Sequence, residues 1–105
     1  MTDGNDLYTC GIWTVKPGRE DDFVAAWEDL ASWSAEHVPG AGWATLVQQD
    51  DRPNRFLTFG PWESLEAIDA WRASDGFRER VGRIRELLES FEPGTFRRRA
   101  GVGGG

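Results

Sequence analysis

Sulfur, imidazole and positive charge are all scarce in this chain. It has one cysteine and one histidine, and its 12 basic residues are outnumbered by 18 acidic ones, which gives a net charge of −6. A single cysteine, Cys10, excludes an internal disulfide, as expected for a reducing compartment. One histidine, His37, with no suitably spaced partner predicts no metal site. The negative charge disfavours a nucleic-acid partner, since a phosphate backbone would be repelled.

Long apolar runs are also missing. No stretch approaches the roughly 20 apolar residues that a membrane span requires, so we expect no membrane partner. The start, "MTDGNDLYTC", has neither the basic nor the apolar segment of an export signal, and we therefore expect a cytoplasmic protein. The glycines of "GVGGG" precede no helix and form no phosphate-binding loop. We interpret residues 101–105 as a flexible tail on a single domain, residues 1–100.

Aromatic residues, in contrast, are plentiful. Six tryptophans and six phenylalanines are more than the core of a 105-residue domain needs, which indicates an interface or a pocket.

The hydrophobic periodicity alternates between that of strands and that of helices. Strands are predicted at 7–15, 43–49 and 55–60, and a helix at 19–37. Ser64 is placed to cap a helix over 65–72, and Ser74 or Asp75 to cap another whose apolar positions run from Phe77 to Phe91. "TFRRR" is predicted to be the last strand, with Phe96 pointing inward.

This order, β-α-β-β-α-β, predicts an α+β fold of the ferredoxin-like type, a four-stranded antiparallel sheet with helices on one face. Alternation predicts apolar side chains on the other face too. Tyr8, Cys10 and Ile12 point to the opposite face from Trp13, and Leu57 and Phe59 point to the opposite face from Phe56. Because the helices cover one face only, we expect a homodimer whose sheets face each other.

Two stretches, "GIWTVKPGREDDFVAAW" and "RFLTFGPWESLEAIDAWRASDGFRE", resemble the antibiotic biosynthesis monooxygenase superfamily, whose members form dimeric α+β barrels. The similarity covers residues 7–99. One branch of that superfamily oxidises polycyclic phenols, anthrones and quinols with molecular oxygen and no cofactor. A second branch degrades haem, and a third has no assigned reaction.

The haem-degrading branch resembles this chain at Trp71, whose counterpart packs on the porphyrin. Its haem-ligating histidine lies ten residues further along, where this chain has Val81, and its first-strand asparagine is replaced by Gly11. The resemblance therefore ranks haem degradation third.

The leading hypothesis is a cofactor-independent monooxygenase acting on a small aromatic molecule, a phenol or quinol. The resemblance places Trp71 on the pocket, and we expect Trp33, Phe77 and Leu30 beside it as substrate-binding residues. The candidate catalytic residues are polar: His37, Tyr8 and Arg72. Four of these residues also have a plainer interpretation. Trp71 would be a core ring, His37 a helix-end histidine, Tyr8 a structural tyrosine and Arg72 a solvated arginine. The alternative function is a non-catalytic small-molecule-binding or dimerisation module of a secondary-metabolite pathway.

Overall fold

The computed structural model describes residues 6–103, which form four strands and three helices. In chain order they are β1 (Leu7–Val15), α1 (Glu20–His37), β2 (Thr45–Gln48), β3 (Arg55–Trp62), α2 (Leu65–Ala73), α3 (Asp75–Arg85) and β4 (Leu88–Arg97). Residues 1–5, which contribute to the export-signal prediction, and residues 104–105 of the predicted tail lie outside the described residues.

The strands form one antiparallel sheet in the order β2-β3-β1-β4. This is the ferredoxin-like α+β arrangement, so the predicted fold class is confirmed. The central strand β1 is rich in β-branched and aromatic residues, as expected for a strand with a neighbour on each side. Its register places Trp13 opposite Phe56 of β3 and Phe91 of β4.

The helices cover one face of this sheet, called here the inner face. Three acidic residues in the first turn of α1 suit the positive end of its dipole. The Ser64 and Ser74 hydroxyl groups accept hydrogen bonds from the backbone N–H groups of Ala67 and Phe77, and so cap α2 and α3. The core between helices and sheet consists of buried apolar side chains: Trp13, Val15, Phe23, Leu30, Phe56, Val81, Ile84 and Leu87.

The end of α3 differs from the sequence prediction. The helix stops at Arg85, and β4 begins at Leu88, so the expectation that helical spacing continues to Phe91 is wrong. Pairing with β1 overrides the local pattern, because Phe91 in the strand stacks on Trp13 with ring centroids 3.9 Å apart. β4 is an edge strand, which is where Pro93 can be tolerated inside a strand.

The opposite, outer face of the sheet is also apolar. Trp43, Val47, Leu57 and Phe96 are large apolar residues with 42–56% of their surface exposed. The prediction that Phe96 points inward is wrong, because it pairs with Tyr8 and shares that residue's outward orientation.

Among the described residues, no helix has both the length and the apolar character needed to cross a bilayer.

Candidate active site

A cavity of about 250 Å³ lies between the helices and the inner face of the sheet. All three helices and all four strands, or the segments leading into them, contribute to its wall. Most of this wall is apolar, and aromatic rings of the inner face and the helices form a large part of it: Trp13, Trp27, Trp62, Trp71, Phe77 and Phe91. A flat aromatic ligand fits such a wall best.

Trp71 on α2 is held in a fixed orientation. Its indole Nε1–H donates a hydrogen bond to Ser34 Oγ at 2.8 Å, and the Ser34 hydroxyl donates to the Leu30 carbonyl at 2.7 Å. Ser34 is buried on α1, where it continues the stripe that also carries Leu30. The bond therefore ties α2 to α1 and fixes how the Trp71 ring borders the cavity.

Two further rings support Trp71 from either side. Trp62, at the end of β3, lies 4.7 Å from it, and Phe77 on α3 lies 4.6 Å from it in an edge-on arrangement. Trp62 is itself anchored, because its Nε1–H donates to Thr9 Oγ1 at 3.0 Å. The three rings form a continuous aromatic surface. The indole N–H groups of Trp62 and Trp71 already donate to protein hydroxyl groups.

One polar side chain, that of Thr58 on β3, lies on the sheet side of the cavity. Thr58 pairs with Gly11 of β1. Thr58 is buried, and its Oγ1 accepts a 3.0 Å hydrogen bond from Trp13 Nε1. A Cβ atom at Gly11 would come within 2.9 Å of Phe91 and 3.1 Å of Thr58 Oγ1, so any larger residue here would displace its neighbours. Within the described residues the Thr58 hydroxyl hydrogen has no acceptor, which leaves it free to donate to a ligand.

Two arginines, Arg72 of α2 and Arg85 of α3, supply the only charged side chains on the described wall. Arg72 is partly buried, and its Nη1 donates to Thr95 Oγ1 at 3.3 Å. Arg85 is exposed, which places it at the mouth of the cavity.

Four of the seven predicted site residues line this cavity together. They are Trp71, Phe77, Leu30 and Arg72.

The other three predicted residues lie elsewhere. The Trp33 ring covers Gly76 and carries the Arg80 guanidinium 4.6 Å from its centroid, so it joins α1 to α3 outside the wall. His37 is exposed at the end of α1, with its ring 6.2 Å from that of Trp33. Tyr8 lies on the outer face, 6.3 Å from Trp43. The expectation that these three share one pocket with Trp71 is not met.

Sequence reasoning missed Thr58 and Arg85 as wall residues. Alternation along "RFLTFG" contained the signal for Thr58, because it places this threonine on the same face as Phe56. Arg85 lies between the apolar positions of the longer helix predicted up to Phe91, so helical spacing gave no reason to place it on a pocket. Its position at the mouth depends on the end of α3, which the helical periodicity misplaced.

Comparison with solved structures gives the same fold. SnoaB, a cofactor-independent oxygenase from Streptomyces nogalater, matches with a TM-score of 0.86 and 24% identity over 96% of this chain and 98% of that one. A conserved protein of Methanosarcina mazei matches with a TM-score of 0.80 and 18% identity, over 91% and 95% of the two chains.

A curated relative comes from Natronomonas pharaonis and bears the name "Putative heme-binding protein". It is 33% identical over 77 residues, 73% of this chain, and the match spans only 13% of the relative's own length.

The residues of this cavity do not fit haem. Haem iron takes a His, Cys, Met or Tyr ligand, and the described wall holds no histidine, methionine or tyrosine. Val81 stands where the resemblance expects the ligand, and Gly11 where it expects an asparagine. Cys10 alternates towards the outer face, and burial raises the pKa of its thiol, which favours the non-ligating protonated form.

A family model matches most of the described chain. Residues 11–83, more than half of the sequence, match the model described as antibiotic biosynthesis monooxygenase. This segment runs from Gly11 through the aromatic wall to α3, so it includes most of the cavity. The chain belongs to the antibiotic biosynthesis monooxygenase family.

Proposed function

We propose that this protein is a cofactor-independent oxygenase that oxidises an aromatic phenol, anthrone or quinol with molecular oxygen. The observation that carries the proposal is the cavity itself, walled by Trp62, Trp71 and Phe77 and supplied with a few polar groups. The family membership and the structural similarity to SnoaB, a cofactor-independent oxygenase, support it.

This oxidation requires a deprotonated substrate that is held away from bulk water. In the anthrone case the enolate donates an electron to oxygen, and the resulting radical pair joins to form a carbon-bound peroxide. Loss of water from the peroxide yields the quinone carbonyl. The CH₂ carbon loses four electrons and O₂ gains four; one oxygen atom stays in the product, and the other leaves as water with both hydrogens.

We assign three roles to residues of the wall. Trp71, locked by Ser34, supplies the flat surface against which the ring system lies. The Thr58 hydroxyl donates a hydrogen bond to the substrate oxygen from the sheet side. Arg72 stabilises the oxyanion, and a nearby guanidinium lowers the pKa of a bound phenol. These groups orient the anion and stabilise its charge, while the substrate supplies the reducing electrons.

The direct test is oxygen uptake by the purified protein over a panel of anthrones and dihydroxynaphthalenes. We expect uptake above the uncatalysed rate, with kcat/KM falling about tenfold or more in Trp71→Phe, because small displacements in a site cost that much. Trp33→Phe is the matched control, since it makes the same change outside the wall. Equal loss in both variants, or none in Trp71→Phe, would contradict the assigned site.

A homodimer is part of the proposal. The exposed apolar residues of the outer face lie just before β2 (Trp43) and on β2, β3 and β4 (Val47, Leu57 and Phe96), and no helix among the described residues covers them. We propose that a second copy does so, and that the two sheets pack face to face as a dimeric barrel. Sedimentation at micromolar concentration is expected to give the mass of a dimer, and a monomer would overturn this part.

One observation favours the second candidate, a non-catalytic binding module. The described wall carries no Asp, Glu or His side chain that could accept a proton. An oxygenase at this site must therefore bind a substrate that is already ionised, or one whose pKa the arginines lower enough. Tight binding of a phenol from the panel with no oxygen uptake at any pH up to 9 would favour the binding module.

A further inference from the structure

The segment that joins α1 to β2 contains one residue more than the strand beside it. Ala41 pairs with Trp62. Thr45 pairs with Phe59, so residues 42–44 lie opposite only two residues of β3. This is the arrangement of a β-bulge, in which the extra residue breaks the regular alternation of side chains and can turn one of them to the other face.

Trp43 lies in this bulge, and its ring is on the outer face of the sheet. The ring meets those of Phe59 and Tyr8 edge-on, at centroid distances of 6.1 and 6.3 Å. Trp43 is 56% exposed. It therefore belongs to the apolar surface that we propose a second copy covers.

The backbone of the same residue lies on the inner side of the sheet. Gly60 alternates with Thr58 and Trp62, which are buried there, so a Cβ atom at Gly60 would point to the inner side. That atom would come within 2.5 Å of the Trp43 carbonyl oxygen and 3.1 Å of Ala44 Cα. The bulge therefore crosses over Gly60, and the residues on either side of Trp43 form part of the cavity wall.

The residues just before the bulge contact the elements that carry the aromatic surface. Ala41 pairs with Trp62, whose ring lies 4.7 Å from that of Trp71. Gly40 packs closely against α2, since a Cβ atom there would come within 2.8 Å of Ala67 Cβ. A movement of the bulge would therefore be transmitted to Trp62 and to the helix that carries Trp71.

We propose that Trp43 is a positioning residue that links association to the cavity. When a second copy covers the Trp43 ring, the bulge is held in the position that completes the cavity wall. The associated protein then binds an aromatic ligand more tightly than the single chain does. Binding and association are coupled, so the ligand must strengthen association in return. The proposal rests on the homodimer and the ligand site of the proposed function, and it adds the connection between them.

The unaltered protein tests the coupling without turnover. The probe is anthraquinone-2-sulfonate, a soluble tricyclic quinone that is already oxidised, and its binding is measured by quenching of tryptophan fluorescence. The titration is made above and below the concentration at which sedimentation shows dissociation. Leu57→Lys supplies single chains if dilution does not.

We expect the probe to bind dimers about fivefold or more tightly than single chains. Saturating probe should in turn lower the dissociation constant of the dimer about 25-fold, because each dimer binds two probes. Equal affinity for dimers and single chains would overturn the proposal. Absence of binding to the dimer at about 1 mM probe would do the same.

Variants then assign the coupling to Trp43, each measured at a concentration where sedimentation shows dimers. We expect Trp43→Ala to lower probe affinity about fivefold, to the value of single chains, and Trp43→Phe to retain most of it. Circular dichroism checks that each variant is folded. The reciprocal effect of the probe on dissociation of the unaltered protein gives a result that needs no variant.

Phe96→Ala is the matched control. Phe96 is exposed to the same 56%, pairs with Tyr8 on the outer face and lies outside the cavity wall. Its loss should weaken association and leave the probe affinity of the dimer unchanged. An equal loss of probe affinity in dimers of Phe96→Ala and Trp43→Ala would overturn the role of Trp43.

The outcome is separable from that of the proposed function. Oxygen uptake by a protein whose dimers and single chains bind the probe equally would leave the oxygenase proposal standing and overturn the coupling. Coupling without oxygen uptake from any substrate would support this inference and overturn the oxygenase. A monomer at every concentration would overturn the homodimer and the coupling together, and oxygen uptake would still decide the oxygenase.

Discussion

The inner and outer faces of the sheet are built from the same strands but are covered differently. On the inner face Leu7, Trp13 and Val15 are buried by helices, and the aromatic surplus divides between a packed core and the cavity. On the outer face Leu57 and Phe96 are large, apolar and about half exposed. One chain therefore completes its own core and leaves a second apolar surface uncovered.

This difference separates two uses of apolar surface. The inner face stabilises the monomer and forms the site, whereas we propose that the outer face stabilises association. Substitutions on the inner face should lower the free energy of unfolding of each chain. Substitutions on the outer face should change the concentration at which chains associate and leave the fold of each chain largely intact.

The largest effect is expected in the inner core, from Phe23→Ala. Phe23 is fully buried and packs its ring against Trp13 and Phe56, so its truncation leaves a cavity. We expect the free energy of unfolding to fall by about 3–5 kcal/mol, measured by urea denaturation. Leu57→Ala on the outer face is the comparison, to be made at a concentration where sedimentation shows single chains, and it should cost no more than about 0.5 kcal/mol. Equal losses would abolish the distinction between the faces.

Next in size is Gly11→Ala, on the inner face beneath the cavity. The added methyl group meets Phe91, Trp13 and Thr58 at about 3 Å. We expect a loss of about 1–3 kcal/mol in thermal or urea denaturation, as for other overpacked sites.

Gly82→Ala is the matched control for that substitution. A Cβ at Gly82 meets nothing within 4 Å, and the residue lies within α3. Here alanine should raise stability by up to about 1 kcal/mol, because glycine is a poor helix former. Destabilisation by Gly82→Ala, or none by Gly11→Ala, would contradict the packing described here.

Ser34→Ala should have a smaller effect on stability and a distinct one on the site. It leaves Trp71 Nε1 without its acceptor, which costs about 1–2 kcal/mol if the group stays dry. Because Trp71 is then free to tilt, ligand affinity or kcat/KM should fall while the fold persists. Ser32→Ala, at an exposed position of the same helix, should change neither quantity. Loss of stability with unchanged ligand affinity would make Ser34 structural only.

The smallest effect on the fold, and the largest on association, is expected from Leu57→Lys. A charge on the outer face should prevent sheet-to-sheet packing, giving a monomer by sedimentation with native circular dichroism.

Cys10 provides a second readout of the same change, because its side chain lies on that face. Burial raises the pKa of its thiol, so the thiolate that reacts with a maleimide or disulfide reagent increases only at alkaline pH. At pH 9 we expect Cys10 to be labelled faster in Leu57→Lys than in the unaltered protein. Equal labelling rates would indicate that the outer face is uncovered in both.

Much of the fold was predictable, because alternation and helical spacing are local signals. β1 followed from the order of residues 7–15, and the two apolar faces of the sheet followed from alternation in residues 7–15 and 55–60. Ser64 was predicted to cap one helix, and Ser74 was one of two predicted caps for the next. The start of β4 was not predictable, because Phe77, Val81, Ile84, Leu88 and Phe91 are all spaced for a helix. Only the pairing of Leu88 and Phe91 with β1 turns them into strand residues. The direction of Phe96 was not predictable from "TFRRR" alone, because it depends on the pairing of Phe96 with Tyr8.

The site was predictable in part, for a related reason. The family resemblance placed Trp71 on the pocket, and Phe77 is an apolar position of the helix predicted after Ser74; the structure brings both to the cavity wall. Trp33 lies on α1 at an angle far from Trp27, and only the packing of α3 shows that it covers Gly76 instead of the cavity. His37 and Tyr8 were chosen for their chemistry, and the geometry places them at a helix end and on the outer face.

The fixed pair formed by Trp62 and Trp71 has an optical consequence. Their ring centroids are 4.7 Å apart with planes inclined by 41°, and hydrogen bonds to Thr9 and Ser34 restrict both indoles. Electronic transitions of two indoles this close couple, and the pair should give a couplet in the far-ultraviolet circular dichroism whose sign depends on their angle. A flat molecule that enters beside Trp71 would alter that angle or quench the pair's emission. The chain thus contains its own spectroscopic reporter of cavity occupancy, and ligands could be screened without a label.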